Sequence, residues 1–542
     1  MLGHADGRHR AGAARTSGQP GGFPVSGAFD VIVVGYGLAG AVSAIEAHDA
    51  GAKVLLIEKE SYAGGISVCA GGGARIADDT SKAFAYLKAT NAGTTPDPVL
   101  MALARGMVEL PAYVRALCQP FGAVARDSTT KGNYALPGYE TWGYVRVEHV
   151  PGFDPARDYP HVRAEGEVEG RNMFKVAQAN VERRDIAVRL GAPVERLWLE
   201  DGEVRGVMCG EAIEARRAVI LASGGFECSE EMQRQFWSTP PARAVATFGN
   251  TGDGIRMAQE AGAGLWHMWH YHGVYGFHHP DPAFKLGIRI RRMRNWTPGQ
   301  GSGHQNPMSW IIIDQRGRRY MNEYDPYMQD TNHRRMALYD PVTQSYPRIP
   351  SILLLDAKGR ELYPLCEPIY SDPVTAARFN RLSLREFDEQ VLSRRSSLGE
   401  IADEFGLDRG TLATTIETWN AACRAGADSE FARPPGSMLP ILEPPFSAAR
   451  VWPIVSNTQG GLPHDEDQRV LDSFGRPIER LYVAGELGSV FGHLYLSGGN
   501  YSECLVAGRI AGAHAARLAP RRGDGASPSQ ARQREGAPAA TR

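Results

Sequence analysis

A glycine-rich turn between two apolar strands constrains this chain more than any other feature. Phe29 to Val34 (FDVIVV) is apolar and rich in β-branched residues. Gly35-Tyr36-Gly37-Leu38-Ala39-Gly40 follows, Ala-rich helical sequence runs over 38–50, and Lys53 to Glu58 (KVLLIE) reads as a second strand. Strand, GxGxxG, helix, strand, with an acid closing the second strand, is a dinucleotide-binding β–α–β unit with buried parallel strands. In such a unit Gly35 permits the tight turn and Gly37 lets backbone approach a pyrophosphate. Gly40 lets helix and strand pack closely. Leu38 and Ala39 open the helix, whose positive end faces the phosphates. Glu58, with Lys59 beside it, is placed to accept hydrogen bonds from a ribose diol. The fold class is therefore α/β, with a Rossmann-like dinucleotide domain.

The turn alone leaves FAD and NAD open; later glycine units narrow the choice. Gly64-Gly65-Ile66-Ser67 and Ala70-Gly71-Gly72-Gly73 would let backbone approach a flat ring or a second phosphate. A further strand runs from Ala218 into Gly224-Gly225. Ala484-Gly485-Glu486 follows another strand, and Gly498-Gly499-Asn500 opens the last helix. A helix N-terminus there is well placed to stabilise negative charge on a reduced flavin.

Length and composition set the outer bounds. The 542 residues, 43% of them hydrophobic, exceed a single domain of about 150 residues, so at least two are expected. The 59 basic and 61 acidic residues balance to −2, which gives no reason to expect a nucleic acid partner. No window holds about 20 uninterrupted apolar residues, so no transmembrane helix is expected. Seven cysteines without a CxxC fit free thiols in a reducing cytoplasm. Residues 1–28 and 519–542, poor in large apolar side chains, read as a disordered leader and tail. Between them, 97–117, 171–190, 383–423 and 500–517 read as helices. Residues 194–223 read as an antiparallel meander, and 309–320 as a hairpin turning around Gln315–Gly317.

The fingerprint with GGIS, the SGG strand, Gly252-Asp253-Gly254, AGE and the terminal GGN together resemble the FAD-dependent fumarate reductase/succinate dehydrogenase flavoprotein superfamily, over roughly residues 29–517. This resemblance implies FAD and a split architecture. Residues 29–265 and 440–518 would form the FAD-binding domain, and 266–439 an α+β capping domain. The implied cofactor-binding set is Gly35, Gly37, Leu38, Ala39, Gly40, Glu58, Lys59, Gly65, Ile66, Ser67, Gly71, Gly72, Gly73, Gly224, Gly225, Asp253, Gly485, Glu486, Gly498, Gly499 and Asn500.

Fumarate reductases hold two carboxylates with cationic side chains. Here the Asn322-Glu323 pair runs on into Tyr324-Asp325-Pro326-Tyr327 rather than to the arginine. The His-Thr-Met-Gly-Gly stretch is Asn457-Thr458-Gln459-Gly460-Gly461, and the arginine before the terminal GGN is replaced in Tyr495-Leu496-Ser497. The closer resemblance is to the 3-ketosteroid Δ4-(5α)-dehydrogenases, which carry Tyr-x-Ser before GGN and a tyrosine in the cap. It implies a small-molecule ketone substrate and an external electron acceptor. The implied catalytic set is Tyr495 on the ketone, Ser497 in a proton relay, and Tyr327 from the cap. In an extended stretch Tyr495 and Ser497 project to the same side. A reductase of enoates or enones, running the reaction in reverse, is the alternative; a redox-silent flavoprotein is a third.

Two clusters remain. Trp266-His267-Met268-Trp269-His270-Tyr271-His272, with His278-His279, lacks metal-ligand spacing and reads as core or as an aromatic wall for a flat substrate. The basic run Arg289, Arg291, Arg292, Arg294 reads as a solvated face; if it enters the cleft, an acidic substrate returns to contention.

Overall fold

The computed structural model describes residues 25–165, 169–293, 307–324, 327–328 and 330–521. Most of the expected leader and tail lie outside the described residues, as do Asp325, Pro326 and Arg294.

The first sheet grows around the strand Val25–Val34, which begins inside the expected leader. Val54–Ile57 lies parallel on one side and Glu211–Leu221 parallel on the other. Ala187–Arg189 and Pro477–Val483 extend the two flanks, again parallel. Val31 to Val34 and Val54 to Ile57 are all buried. Their unbroken apolar character is what a parallel strand covered on both faces needs. Arg196–Glu200 and Glu203–Cys209 form the antiparallel ribbon that leads into Glu211–Leu221. Helix Leu38–Asp49 lies along the last helix, Gly499–Arg517. A Cβ on Gly512 would stand 2.4 Å from the Ser43 carbonyl oxygen, so the two backbones meet without side chains between them.

The second sheet has the order Ile311–Ile313, Ser351–Leu355, Phe446–Thr458, Tyr271–His278, Gly287–Ile290, Cys366–Glu367, with antiparallel neighbours. Its longest strand, Phe446–Thr458, falls within the stretch expected to belong to the FAD domain. A smaller sheet pairs Trp142–His149 with Ala74–Ala77 and Val124–Thr129.

Several local expectations change. The helix over 171–190 is Glu169–Arg183, and its last expected turn is the strand Ala187–Arg189. The 309–320 hairpin keeps its turn, with Gly317 N–H donating to the Asp314 carbonyl, but only a single bridge, Ile313 to Arg319, follows. Ile311–Ile313 pairs instead with distant Ser351–Leu355. The 383–423 segment is three helices, Leu384–Val391, Leu398–Phe405 and Arg409–Ala425. Ser383, Ser397 and Asp408 cap their N-termini through side-chain oxygens. The described residues run on to Arg521, whose N–H donates to the Arg216 carbonyl and whose guanidinium pairs with Glu203.

At the far end of Tyr271–His278, the His278 ring stacks on Trp452 with centroids 4.0 Å apart, and its Nε2 has no hydrogen-bond partner among the described residues. Burial pushes its pKa down to about 3. An unfolded histidine titrates near pH 6.5, so protons bind the unfolded chain first as pH falls. The contribution of neutral His278 is complete above pH ~6.5 and is lost progressively toward pH ~3. His278→Phe should therefore lose less Tm than the parent between pH 6.5 and pH 4, the gap growing by at most about 1.4 kcal/mol per pH unit. Parallel Tm–pH curves would remove His278 from this account.

Candidate active site

A cavity takes its walls from both main sheets and from Trp142–His149.

One end is the glycine turn. Gly35 has φ +105°, and a Cβ there would stand 2.4 Å from the Ala222 carbonyl oxygen; only glycine fits. Gly40 sits behind the turn, where a Cβ would meet the Gly35 carbonyl oxygen at 1.9 Å. Gly37 differs: a Cβ would find only Ser67 Oγ at 3.6 Å and the Gly64 carbonyl oxygen at 3.9 Å. The protein itself leaves that position open toward the cavity. The Leu38 N–H donates to Ser67 Oγ at 3.1 Å. Glu58 accepts from the Tyr36 and Glu60 N–H groups, at 2.8 and 2.9 Å, while burial raises its pKa. Lys59 pairs with Asp253 at 2.6 Å and donates to Thr251 at 2.9 Å.

Below the middle of the cavity lies a carboxylate pair. Asn250 donates to Glu227 at 2.7 Å and to Glu486 at 3.2 Å, and Glu486 also accepts from the Thr458 N–H at 2.8 Å. Burial, and for Glu227 the neighbouring Glu486 charge, pushes both pKa values up. Two acids so placed share a proton.

The other end gathers the tyrosines. Tyr495 packs against His272, Phe491 and Tyr327, with ring centroids at 3.9, 6.0 and 6.5 Å. Its phenol oxygen accepts the Gly498 N–H at 3.1 Å, and its own N–H donates to Asp330 Oδ2 at 3.1 Å. Asp330 is fully buried; it also accepts from Tyr134 OH at 2.8 Å and pairs with Arg334 at 3.0 Å, which together anchor the Tyr495 segment. Tyr327 hydrogen-bonds the Ser497 side chain. The Ser497 backbone is held by Asn133 Oδ1 at its N–H, and by Arg75 Nε and Tyr144 OH at its carbonyl. Burial raises the Tyr495 and Tyr327 pKa values well above that of a free phenol, so both remain protonated donors at neutral pH. Tyr320 and Tyr324 are buried elsewhere, Tyr320 on Ser351 Oγ at 2.7 Å. Glu323, the acid of the Asn-Glu pair, is buried between Arg319 and Arg433.

The cavity thus brings together Tyr495, Ser497 and Tyr327 with Gly35, Gly37, Leu38, Ala39, Glu58, Lys59, Gly65, Ile66, Ser67, Gly71, Gly72, Gly73, Gly224, Asp253, Glu486, Gly498 and Asn500. Four expected glycines stand behind the wall. Besides Gly40, a Cβ on Gly225 would meet Thr458 Oγ1 at 1.8 Å, on Gly485 the Ala39 Cβ at 2.7 Å, and on Gly499 the Phe491 ring at 2.5 Å. They permit close packing rather than contact with a ligand.

Sequence reasoning missed Tyr144 and Asn250 as lining residues, and left His272 between core and substrate wall and Arg289 between solvated face and cleft. Only His272 of the histidine cluster reaches the cavity. Its Nδ1 meets Asn457 Oδ1 at 2.9 Å, its buried Nε2 has no hydrogen-bond partner among the described residues, and burial pushes its pKa down to about 4. His267 and His270 instead meet the main-chain carbonyls of Thr94, Ser489 and Phe491, a core role. The basic run divides. Arg289 and Arg292 line the cavity, and Arg291 lies over the Tyr363 ring at 4.9 Å.

A nucleotide-cradling turn and a phenol-lined wall facing one cavity define a flavoprotein oxidoreductase. The family described as FAD binding domain matches residues 30–501, and the chain belongs to it. A 3-oxosteroid 1-dehydrogenase of Mycobacterium tuberculosis is 26% identical over 91% of this chain and 99% of its own length. Among solved structures, the 3-ketosteroid Δ1-dehydrogenase of Sterolibacterium denitrificans in complex with 1,4-androstadiene-3,17-dione superposes with a TM-score of 0.74 at 25% identity, covering 91% of this chain and all of that one. The 3-ketosteroid Δ4-(5α)-dehydrogenase of Rhodococcus jostii RHA1 shares the fold, with a TM-score of 0.63 at 22% identity over 91% of this chain and 98% of that one.

Proposed function

We propose that this protein is an FAD-dependent dehydrogenase that introduces a C=C bond α,β to a ketone on a steroid or smaller alicyclic ring. One observation carries the reading: Tyr495, Tyr327 and Ser497 meet on a single wall of the cavity that also holds the glycine cradle. The open position at Gly37 and the protein-free surroundings of Gly65 fit a bound dinucleotide. Gly35, Gly37 and the helix beginning at Leu38 would hold its pyrophosphate, Glu58 its ribose, and the Gly498 end of the last helix its ring.

FAD, when bound, supplies the acceptor for the hydride that leaves the β-carbon. The protein's part is to make the α-proton removable. The Tyr495 phenol accepts the Gly498 N–H, which leaves its own proton for the ketone oxygen as negative charge develops there. Ser497, bonded to Tyr327, carries the α-proton away from the ring. The apolar faces of Tyr327 and His272 orient a flat substrate and exclude water. An external acceptor then takes the electron pair.

The first sheet, made from both ends of the chain, supports an FAD domain of residues 29–265 and 440–518, with 266–439 as a cap; Phe446–Thr458 would cross between them. Seven cysteines, none in a disulfide, support a cytoplasmic location. No helix among the described residues is long and apolar enough to cross a membrane.

Anaerobic FAD-loaded protein should bleach on mixing with a saturated ketone from a series running from cyclohexanones to 3-ketosteroids. Bleaching by none of them, with reoxidation of the reduced protein by an enoate, would replace the dehydrogenase by a reductase. Fumarate and succinate should give no turnover, because Tyr327, Asn457 and Tyr495 are neutral where two carboxylates need cations. Robust fumarate reduction with reduced viologen would reverse that conclusion.

A further inference from the structure

Arg289 is a buried cation whose one neighbouring carboxylate, Glu367, lowers its charge cost from across the strand pair without meeting it as an ion pair. It is only 8% exposed and lines the cavity that holds Tyr495 and His272. It makes no hydrogen bond or ion pair with any described residue. Its cross-strand neighbour, Glu367, accepts the Arg292 N–H at 3.1 Å instead. Desolvating a guanidinium is costly unless an opposite charge meets it. Of the other cations lining the cavity, Lys59 is matched by Asp253, and Arg146 lies over the Tyr144 ring.

The topology says what that anion belongs to. Arg289 sits in Gly287–Ile290, opposite Gly276 of the Tyr271–His278 strand. Gly276 is four residues along that strand from His272, whose ring packs on Tyr495; the backbone span is about 13 Å. The phosphate cradle is on the other sheet. Arg289 therefore stands on the substrate wall, separated along one strand from the group that meets the ketone. A guanidinium matches a carboxylate with two parallel N–H···O bonds.

We infer that the substrate is a keto acid: an alicyclic ketone whose ring carbonyl meets Tyr495 and whose carboxylate, at the far end of the skeleton, is bound by Arg289. Arg292, on the same cavity wall, adds positive potential. This rests on the dehydrogenase reading and names its substrate class. It remains distinct from a dicarboxylate site, because the other end of the skeleton meets the neutral phenol of Tyr495.

The test uses FAD-loaded enzyme with two matched pairs: 4-oxocyclohexanecarboxylate and its methyl ester, and a 3-oxo-5β-cholanoate and its methyl ester. For the pair turned over, kcat/KM should favour the acid by about 10- to 100-fold, carried by KM, as a hydrogen-bonded ion pair implies. Arg289→Gln should bring the acid-to-ester ratio to about 1, and Arg289→Lys should leave it between, since a point charge replaces the fork. A parent enzyme that prefers the ester, or treats the two alike, overturns the inference without any variant. An equal loss on both substrates in Arg289→Gln, with a shifted flavin spectrum, places Arg289 on the cofactor and also overturns it. If no ketone bleaches the flavin, the dehydrogenase reading falls. The anion site is then decided by titrating acid and ester against the flavin absorbance. Acid binding about tenfold tighter in the parent but not in Arg289→Gln upholds it; equal affinities overturn it.

Discussion

Tyr495→Phe should lower kcat by about 10²–10³, the usual cost of one donor to a developing oxyanion. The ring would stay where it is, held by His272, Phe491 and Tyr327 and by the Asp330 carboxylate on the Tyr495 N–H. Only the hydroxyl is lost, along with the acceptor for Gly498 N–H. FAD content and substrate affinity should change far less, because the bond strengthens as charge moves onto the ketone oxygen. Ser497→Ala should be milder, since water can carry a proton that serine relays. Its backbone contacts to Asn133, Arg75 and Tyr144 do not use the side chain. A merely structural Tyr495 would give a different pattern: reduced stability with turnover of folded protein nearly intact. A fall of less than about fivefold in flavin-replete Tyr495→Phe, far below what an oxyanion donor contributes, would remove it from the catalytic set.

Gly37→Val should yield folded protein without FAD. The same substitution has opposite meanings at neighbouring glycines. At Gly40 a Cβ would collide with the Gly35 carbonyl oxygen at 1.9 Å, so the β–α–β unit itself would not close. At Gly37 the Cβ finds no protein atom closer than 3.6 Å, and the backbone there has φ −84°, open to any residue. The added side chain would therefore occupy the space left for pyrophosphate while sparing the fold. Far-UV circular dichroism should match the parent, and the visible flavin absorbance of the purified protein should vanish. Gly40→Val should fail to accumulate as folded protein. Stoichiometric flavin in Gly37→Val would show that the cradle lies elsewhere.

The sequence disclosed those parts of the molecule that local spacing determines. FDVIVV, the glycine turn and KVLLIE specify their parallel unit within thirty residues. Tyr495 and Ser497 both line the cavity and intervening Leu496 does not, although residues 495–497 form no strand. Helix breaks in 383–423 were also written locally: Ser383 and Glu386 form a capping box. What spacing could not disclose depends on distant pairing. His272 faces the site because its strand lies beside Phe446–Thr458, about 180 residues on, in an antiparallel sheet whose faces differ. Arg289 resembled its neighbours Arg291 and Arg292 in a basic run. Only its place opposite Gly276 separates a cavity cation from one lying over a tyrosine ring. Ile311–Ile313 likewise chose a partner forty residues away over the adjacent turn.

The parallel sheet that receives both ends of the chain has a consequence for biosynthesis. Glu211–Leu221 leaves the ribosome long before Pro477–Val483, its neighbour on one side, has been translated. Helix Leu38–Asp49 waits still longer for the Gly499–Arg517 helix that covers it. For nearly half of translation the nascent chain therefore presents an open sheet edge and an uncovered apolar helix face, both of which invite association with other chains. High contact order of this kind slows folding. Recovery of active protein should consequently be limited by what shields the growing chain during that interval, more than by the final stability of the folded enzyme.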